Sequence, residues 1–402
     1  MPPTNLVLPV ICICAAIIIF FLLAQFTSFR QRPTLHRTPA AVRSLLDPID
    51  RPSMDTLLHS RASPNSRLIR AFHLSNTFVS SDPTVHTNFN HNSVSLIRAA
   101  EKNWPRFSDI ALQAAELALP NDSTTPFHVY VGAVTLRTII AGLLVPDADV
   151  ASLDANDVDV VAELITELWI RSKKPARIPE HLLETLNFHV RHLVPDQVQY
   201  PQPLDFIIPT WETLWRVVAA TLACVYGNIA ARQTFLDLNE NPNLDQFSTP
   251  KQEGSSPSAK DYICESLRLY PPVKRITRHI FTPLLFTTFL PRFLASRIPP
   301  YCETHVAEIE RAQCSAYWDI SSSSPEAFDA ARFLDPARKA SDLLAFGAGP
   351  LKCRAINWAP MAAAVIVGAI LNTVDEVKYT VIQGNGIGDR GGWDGWEVRK
   401  AA

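Results

Sequence analysis

Apolar positions along this chain recur at helical spacing far more often than they alternate. From about Ser66 to Pro146 the pattern is mostly helical, as in SVSLIRAAEKNWPRFSDIALQAAELAL. Apolar residues return there every three or four positions, so one face can be buried. VDVVAELITELWI and PEHLLETLNFHVRHL predict two more amphipathic helices. Asp205 to Gly227, DFIIPTWETLWRVVAATLACVYG, is apolar nearly all round. That predicts a central buried helix, kinked at its interior Pro209. SAKDYICESLRLYPP opens with Ser258 three residues before Asp261, a helix-start signature, and stops at Pro271–Pro272. Residues 274–310 hold short β-like runs, and APMAAAVIVGAIL is the last strong helix. The tail QGNGIGDRGGW reads as a turn between edge strands. Its Gly386, Gly388 and Gly391 match G-x-G-x-x-G, but no βαβ unit surrounds them and no dinucleotide site follows.

The N-terminus departs from this pattern. Leu6 to Ala24 is a run without charge, and a bilayer core of ~30 Å needs about twenty helical residues. Arg30, Arg32, Arg37 and Arg43 follow it, and positive charge stays on the cytoplasmic side. We therefore expect residues 1–5 in the lumen, a transmembrane anchor over 6–24, a basic proline-bearing linker over 25–65, and one cytosolic domain over 66–402. With 402 residues, 47% of them hydrophobic, that domain can bury a large core. A formal net charge of -2 excludes nothing but a strongly basic nucleic-acid binder. The 7 cysteines include no C-x-x-C pair, which disfavours a disulfide framework or zinc site and fits a reducing compartment.

The chemistry gathers around FGAGPLKCRA, Phe346 to Ala355. Gly347 and Gly349 let the backbone turn tightly and approach a flat partner. Cys353 sits where this loop hands over to a helix, and helix N-termini stabilise thiolates. By itself Cys353 does not decide: a buried structural cysteine is the default for a lone cysteine, a nucleophile would need a histidine that is not nearby in sequence, and a metal or haem ligand is the third reading. ESLR sets Glu265 and Arg268 at i, i+3, in isolation an ordinary surface pair, and FDAARF adds Arg332. PTWETLWR places Glu212–Thr213 in the middle of the apolar helix. A buried carboxylate needs a partner, and Arg216, four residues on, offers a helix salt bridge. Asn121 heads an N-x-S acceptor, His86 and His91 lie five apart, and Trp104, Trp211 and Trp215 read as core.

In this order, Glu212–Thr213, Glu265–Arg268, Arg332–Phe333 and Phe346 to Cys353 resemble the cytochrome P-450 family, especially its fungal members. The family pattern is an acid–alcohol pair on the long central helix, E-x-x-R, an aromatic–arginine motif, then F-G-x-G-x-x-x-C before the last helix. The resemblance runs from about Ser66 to the C-terminus, and the N-terminal anchor fits eukaryotic members. It implies a mainly α fold with a small β part. Cys353 would be the axial thiolate on haem iron, within a loop shaped by Phe346, Gly347 and Gly349. Glu265, Arg268 and Arg332 would hold that loop, and Thr213 with Glu212 would deliver protons to dioxygen.

The activity so implied is a haem-thiolate monooxygenase acting on a hydrophobic small molecule in fungal secondary metabolism. Electrons would come from NADPH through a flavin reductase, at the endoplasmic reticulum membrane. Two other readings stand beside it: an isomerase or dehydratase of the same fold, and a degenerate, non-catalytic membrane-anchored member. The pattern is also broken in places. Leu351 stands where the family carries a basic residue that pairs with a haem propionate, which leaves Arg278, His279 and His86 as candidates for that task. Ala355 replaces the usual glycine, and Ala330 and Ala331 replace the usual proline and glutamate. The chain is short around His86, before the central helix. Lys352, Arg354, Arg338 and Lys339 form a basic surface suited to an acidic reductase.

Overall fold

The computed structural model describes residues 32–120, 124–250, 256–282, 300–319 and 323–401. The expected anchor and Asn121 lie outside the described residues. In chain order the elements are β1 (Thr34–His36), α1 (Pro39–Leu46), α2 (Met54–Phe72), α3 (Pro83–Glu101), α4 (Trp104–Leu117), β2 (Thr124–Pro126) and α5 (Phe127–Ile139). There follow α6 (Ala155–Ser172), α7 (Glu180–Leu193), α8 (Leu204–Val225), α9 (Ile229–Glu240) and the short α10 (Leu244–Ser248). The chain continues through α11 (Ala259–Leu269), β3 (Arg275–Thr282), β4 (Tyr301–Glu308), the short α12 (Ile309–Gln313), α13 (Trp358–Thr373), β5 (Tyr379–Ile382) and β6 (Glu397–Lys400).

Among the described residues the fold is mainly helical with two small sheets, ordered β1-β4-β3 and β2-β6-β5. The expected β-like runs after Pro272 are the antiparallel pair β3–β4, and the glycine-rich tail joins β5 to β6. Helices α5, α8 and α13 fill the centre, because each is apolar around most of its circumference. Trp104, Trp211 and Trp215 are buried among them. Small residues let α13 come close to its neighbours. A Cβ on Gly368 would lie 2.6 Å from the Phe235 carbonyl of α9. Among the described residues, Phe127–Leu144 alone is long and apolar enough to cross a membrane, and it is buried inside this core.

The linker read over residues 25–65 needs correction. From Thr34 onward it is built into the fold. β1 pairs in parallel with β4, Thr34 opposite His305. Val42 and Leu46 of α1 bury themselves against Ala307, Ile309, Ala312 and Leu344. A three-residue strand carries too little alternation to be read locally, and its pairing partner lies far along the chain.

The long helix α8 runs through Pro209 without a break. Proline offers no N–H to the carbonyl four residues back, here that of Asp205. The Asn76 side chain donates to this orphaned carbonyl at 2.9 Å. The Asp205 carboxylate in turn accepts from the N–H of Ser75 at 2.9 Å and from its hydroxyl at 2.6 Å. The proline gap thus fastens the loop after α2 to the start of α8. At α11 the Ser258–Asp261 capping box forms as expected.

Asn76→Ala is expected to lower stability to urea by about 1–3 kcal/mol. In a Pro209→Ala background, whose restored N–H takes over the Asp205 carbonyl, the loss should shrink by about 1 kcal/mol. Equal losses in both backgrounds would contradict this pairing.

Candidate active site

The loop before α13 is built on two left-handed glycines. Gly347 has φ 71° and Gly349 φ 69°, values that L side chains rarely adopt. A Cβ on Gly349 would also meet the Leu46 carbonyl at 2.6 Å and Asp47 at 2.9 Å. The turn closes where the Cys353 N–H donates to the Phe346 carbonyl at 3.0 Å. Phe346 packs against the main core. Cys353 is exposed by accessible area, yet burial is the first cause that pushes its thiol above the ordinary value. The Ala355 N–H donates to this sulfur, and Arg354 lies near; both act in the opposite direction and favour the thiolate.

Behind the loop lies a charge network without solvent contact. Glu265 and Arg268 pair through two bonds, 2.7 and 2.8 Å. Arg332 reaches the same carboxylate at 3.2 Å, and the Asp329 N–H donates to it at 2.9 Å. All three side chains are fully buried. The remaining guanidinium donors are satisfied by carbonyls: Gln313, Pro325 and Ala327 for Arg268, and Trp318, Ser323 and Ser324 for Arg332. Complete satisfaction is what such a buried cluster requires.

Gln313 carries this network to the cysteine loop. Its amide donates to the Leu267 and Arg268 carbonyls, each at 2.9 Å. Its side-chain oxygen accepts from the N–H groups of Leu344 at 2.6 Å and Ala345 at 3.1 Å. One residue therefore ties the end of α11 to the backbone just ahead of Phe346. Sequence reading missed it, because a lone glutamine 45 residues from Arg268 gives no local signal.

On α8, Phe206, Pro209, Thr210 and Thr213 are half-buried, at the i, i+3, i+4, i+7 spacing of one helix face. Glu212 points elsewhere and is buried. Arg216 donates to its Oε2 at 2.9 Å, which is the expected helix pair. Arg390, from the loop between β5 and β6, holds the other oxygen at 2.5 Å, as an ion contact without hydrogen-bond alignment. Arg216 also bonds Asp389 at 2.6 Å. Thus the acid beside Thr213 is held on both oxygens.

A second group of cations gathers near α2 and α3. Burial brings Arg278 of β3 down to about 10, and burial together with Arg278 brings Arg61 of α2 down to about 10. Arg61 donates to the Thr77 hydroxyl and carbonyl, Thr77 meets His86 Nδ1 at 2.7 Å, and Arg278 reaches the Thr277 carbonyl at 3.1 Å. Burial, Arg61 and Arg354 hold His86 below its ordinary range. Among the described residues, no carboxylate pairs with Arg61 or Arg278. Of the three predicted propionate candidates, the structure brings Arg278 and His86 into one electrostatic group with Arg61, which sequence reading missed. His279 is instead engaged at 2.8 Å by Ser63.

No protein-family model and no curated protein matches the sequence. Solved structures do resemble it. A 6-coordinated cytochrome P-450 from Thermus thermophilus superposes with a TM-score of 0.58 at 14% identity, covering 92% of each chain. CYP175A1, also from Thermus thermophilus, gives 0.55 at 14% identity, over 92% of this chain and 89% of that one. The P-450 monooxygenase TamI, bound to tirandamycin C, gives 0.50 at 18%, over 91% and 88%. The chain has the cytochrome P-450 fold.

Haem suits the residues that this P-450 fold brings together. Its iron needs a thiolate, and Cys353 offers a sulfur with an N–H aimed at it. Its propionates need positive charge, and the buried Arg61 and the half-buried Arg278 supply it without a carboxylate partner among the described residues. Arg278 is the cleaner test. Its folded pKa lies below the unfolded one, so the charged side chain costs stability at neutral pH, a cost that fades as pH rises through about 10. Arg278→Met should leave the haem-free protein as stable or more stable, yet weaken haem affinity about tenfold or more. Urea unfolding and haem titration report the two effects. A variant that is destabilised and binds haem normally would contradict the assignment.

Proposed function

We propose that this protein is a haem-thiolate monooxygenase that inserts one oxygen atom from dioxygen into a hydrophobic small molecule and releases the other as water. The observation that carries it is Cys353: an exposed cysteine that follows a left-handed glycine turn clasped through Gln313 to a fully satisfied buried charge network. Cys353 would hold the iron, while Arg61, Arg278 and His86 would hold the propionates. Bound there, haem supplies the activation of dioxygen. The half-buried face Phe206, Pro209, Thr210 and Thr213 is suited to orient an apolar substrate. The Thr213 hydroxyl would pass a proton toward the reacting oxygen and regain one from solvent, while Glu212, paired with Arg216 and Arg390, holds that stretch of the helix in place.

TamI, itself a P-450 monooxygenase, supports this chemistry by fold. NADPH-derived electrons through a flavin reductase are supported by surface charge. An open groove along α3 carries His91, Arg98, Lys102 and Arg354 and no acid. Lys352 adjoins it in sequence. Arg338 of the expected basic surface is instead tied to Asp335 and to the Tyr317 and Asp319 carbonyls. Attachment to the endoplasmic reticulum by residues 6–24 and a fungal terpenoid or polyketide substrate belong to the same proposal, on the sequence features already given. A second reading, an isomerase or dehydratase of the same fold, is favoured by one observation: both Glu212 oxygens are held by arginines.

The full chain, with a flavin reductase, NADPH and labelled dioxygen, should place one labelled atom in each product molecule from a panel of terpenoids and polyketides. Thr213→Val should slow product formation roughly 10²-fold. Product without label, formed equally without NADPH, would favour the second reading. Product formed unchanged by Cys353→Ala would overturn both.

A further inference from the structure

We propose that Asp157, His189 and His192 form a binding site for a divalent transition-metal ion of the zinc class, bridging α6 and α7. The site is separate from the cysteine loop and rests on its own geometry. Asp157 lies in the first turn of α6, with its carboxylate largely buried. His189 and His192 stand at i, i+3 on α7, so their rings share one helix face. Both present Nδ1 to the same carboxylate. The three donor atoms lie within 4.8 Å of one another.

The spacing is close to that of a coordination sphere. Around a tetrahedral ion with bonds of ~2.0–2.1 Å, donor atoms stand roughly 3.3 Å apart. His192 Nδ1 lies 3.2 Å from Asp157 Oδ2 and 3.3 Å from Oδ1. His189 Nδ1 is nearer, 2.5 Å from Oδ1, and need open by less than about 1 Å. Phe188 lies against both imidazoles, with ring centroids at 4.3 Å from His192 and 5.2 Å from His189.

The donor set selects the ion. Two imidazole nitrogens and one carboxylate suit zinc, copper or nickel, whereas magnesium and calcium want oxygen alone. His192 is half-exposed, which gives an entry path and leaves a fourth position for water. Binding exchanges the Nδ1 protons that now face the carboxylate for the metal. Asp157 and His189 are 32 residues apart in sequence. The ion would therefore pin two helices together across the loop that joins them, and would stabilise the folded chain in proportion to its occupancy.

Equilibrium dialysis of the full, haem-loaded chain against Zn²⁺ tests this. We expect one site with a dissociation constant in the micromolar range, weakened at least tenfold by His192→Ala and by Asp157→Asn. His181→Ala, an exposed histidine on the same helix, should leave it unchanged. Because His192 is exposed, its replacement preserves the packing even if Asp157→Asn fails to fold. Zn²⁺ should also raise the melting temperature of the wild type but not of His192→Ala. Equal zinc affinity in wild type and His192→Ala, or no binding below millimolar zinc, would overturn the proposal.

Discussion

The carboxylate of Glu265, shared by Arg268 and Arg332 with no solvent contact, is the interaction on which the rest of the structure depends. Two guanidiniums and one carboxylate leave an excess positive charge in the interior. That arrangement holds only because the carbonyls of Gln313, Trp318, Ser323, Ser324, Pro325 and Ala327 surround it. The same carbonyls thereby fix the path of the chain after β4. Gln313 sits at the joint. It bonds the last turn of α11 on one side and the 344–345 backbone on the other. The position of Cys353 is thus set by a network whose charged members Glu265 and Arg332 lie 67 residues apart.

Charge is handled differently around Glu212 and around Arg61 and Arg278. Glu212 is matched, held by Arg216 along its own helix and by Arg390 from the C-terminal loop. Arg61 and Arg278 are not matched, and burial lowers the pKa of each. A fold rarely keeps two desolvated cations near each other for stability alone. Their cost is understandable if a dianionic group completes the site. Among the described residues the protein therefore contains a closed ionic cluster, an acid bridged by two arginines and a cationic pair without a carboxylate partner.

What the sequence made legible follows from range. The glycine turn, the Glu265–Arg268 pair, the Ser258 cap and the apolar circumference of α8 and α13 are local patterns, and the structure shows each. Arg332, some distance on in the chain, was found only through a resemblance of ordered motifs. Gln313 and Arg61 gave no such signal, because their partners are assembled by the fold. Residues 34–65 were misread for the same reason: the TLH strand is too short to show a period, and what orders it is β4, 271 residues away at the Arg37–Glu308 bond. The Asp157–His189–His192 group was likewise hidden, as its acid and its histidines lie on different helices.

The central claim is that Cys353 holds haem iron as a thiolate. The most direct measurement is the reduced, carbon-monoxide difference spectrum of the purified full chain beside that of Cys353→Ala. This account predicts a strongly red-shifted Soret band in the wild type that vanishes in the variant. A chain that takes up no haem, or a band that the substitution leaves in place, would contradict it.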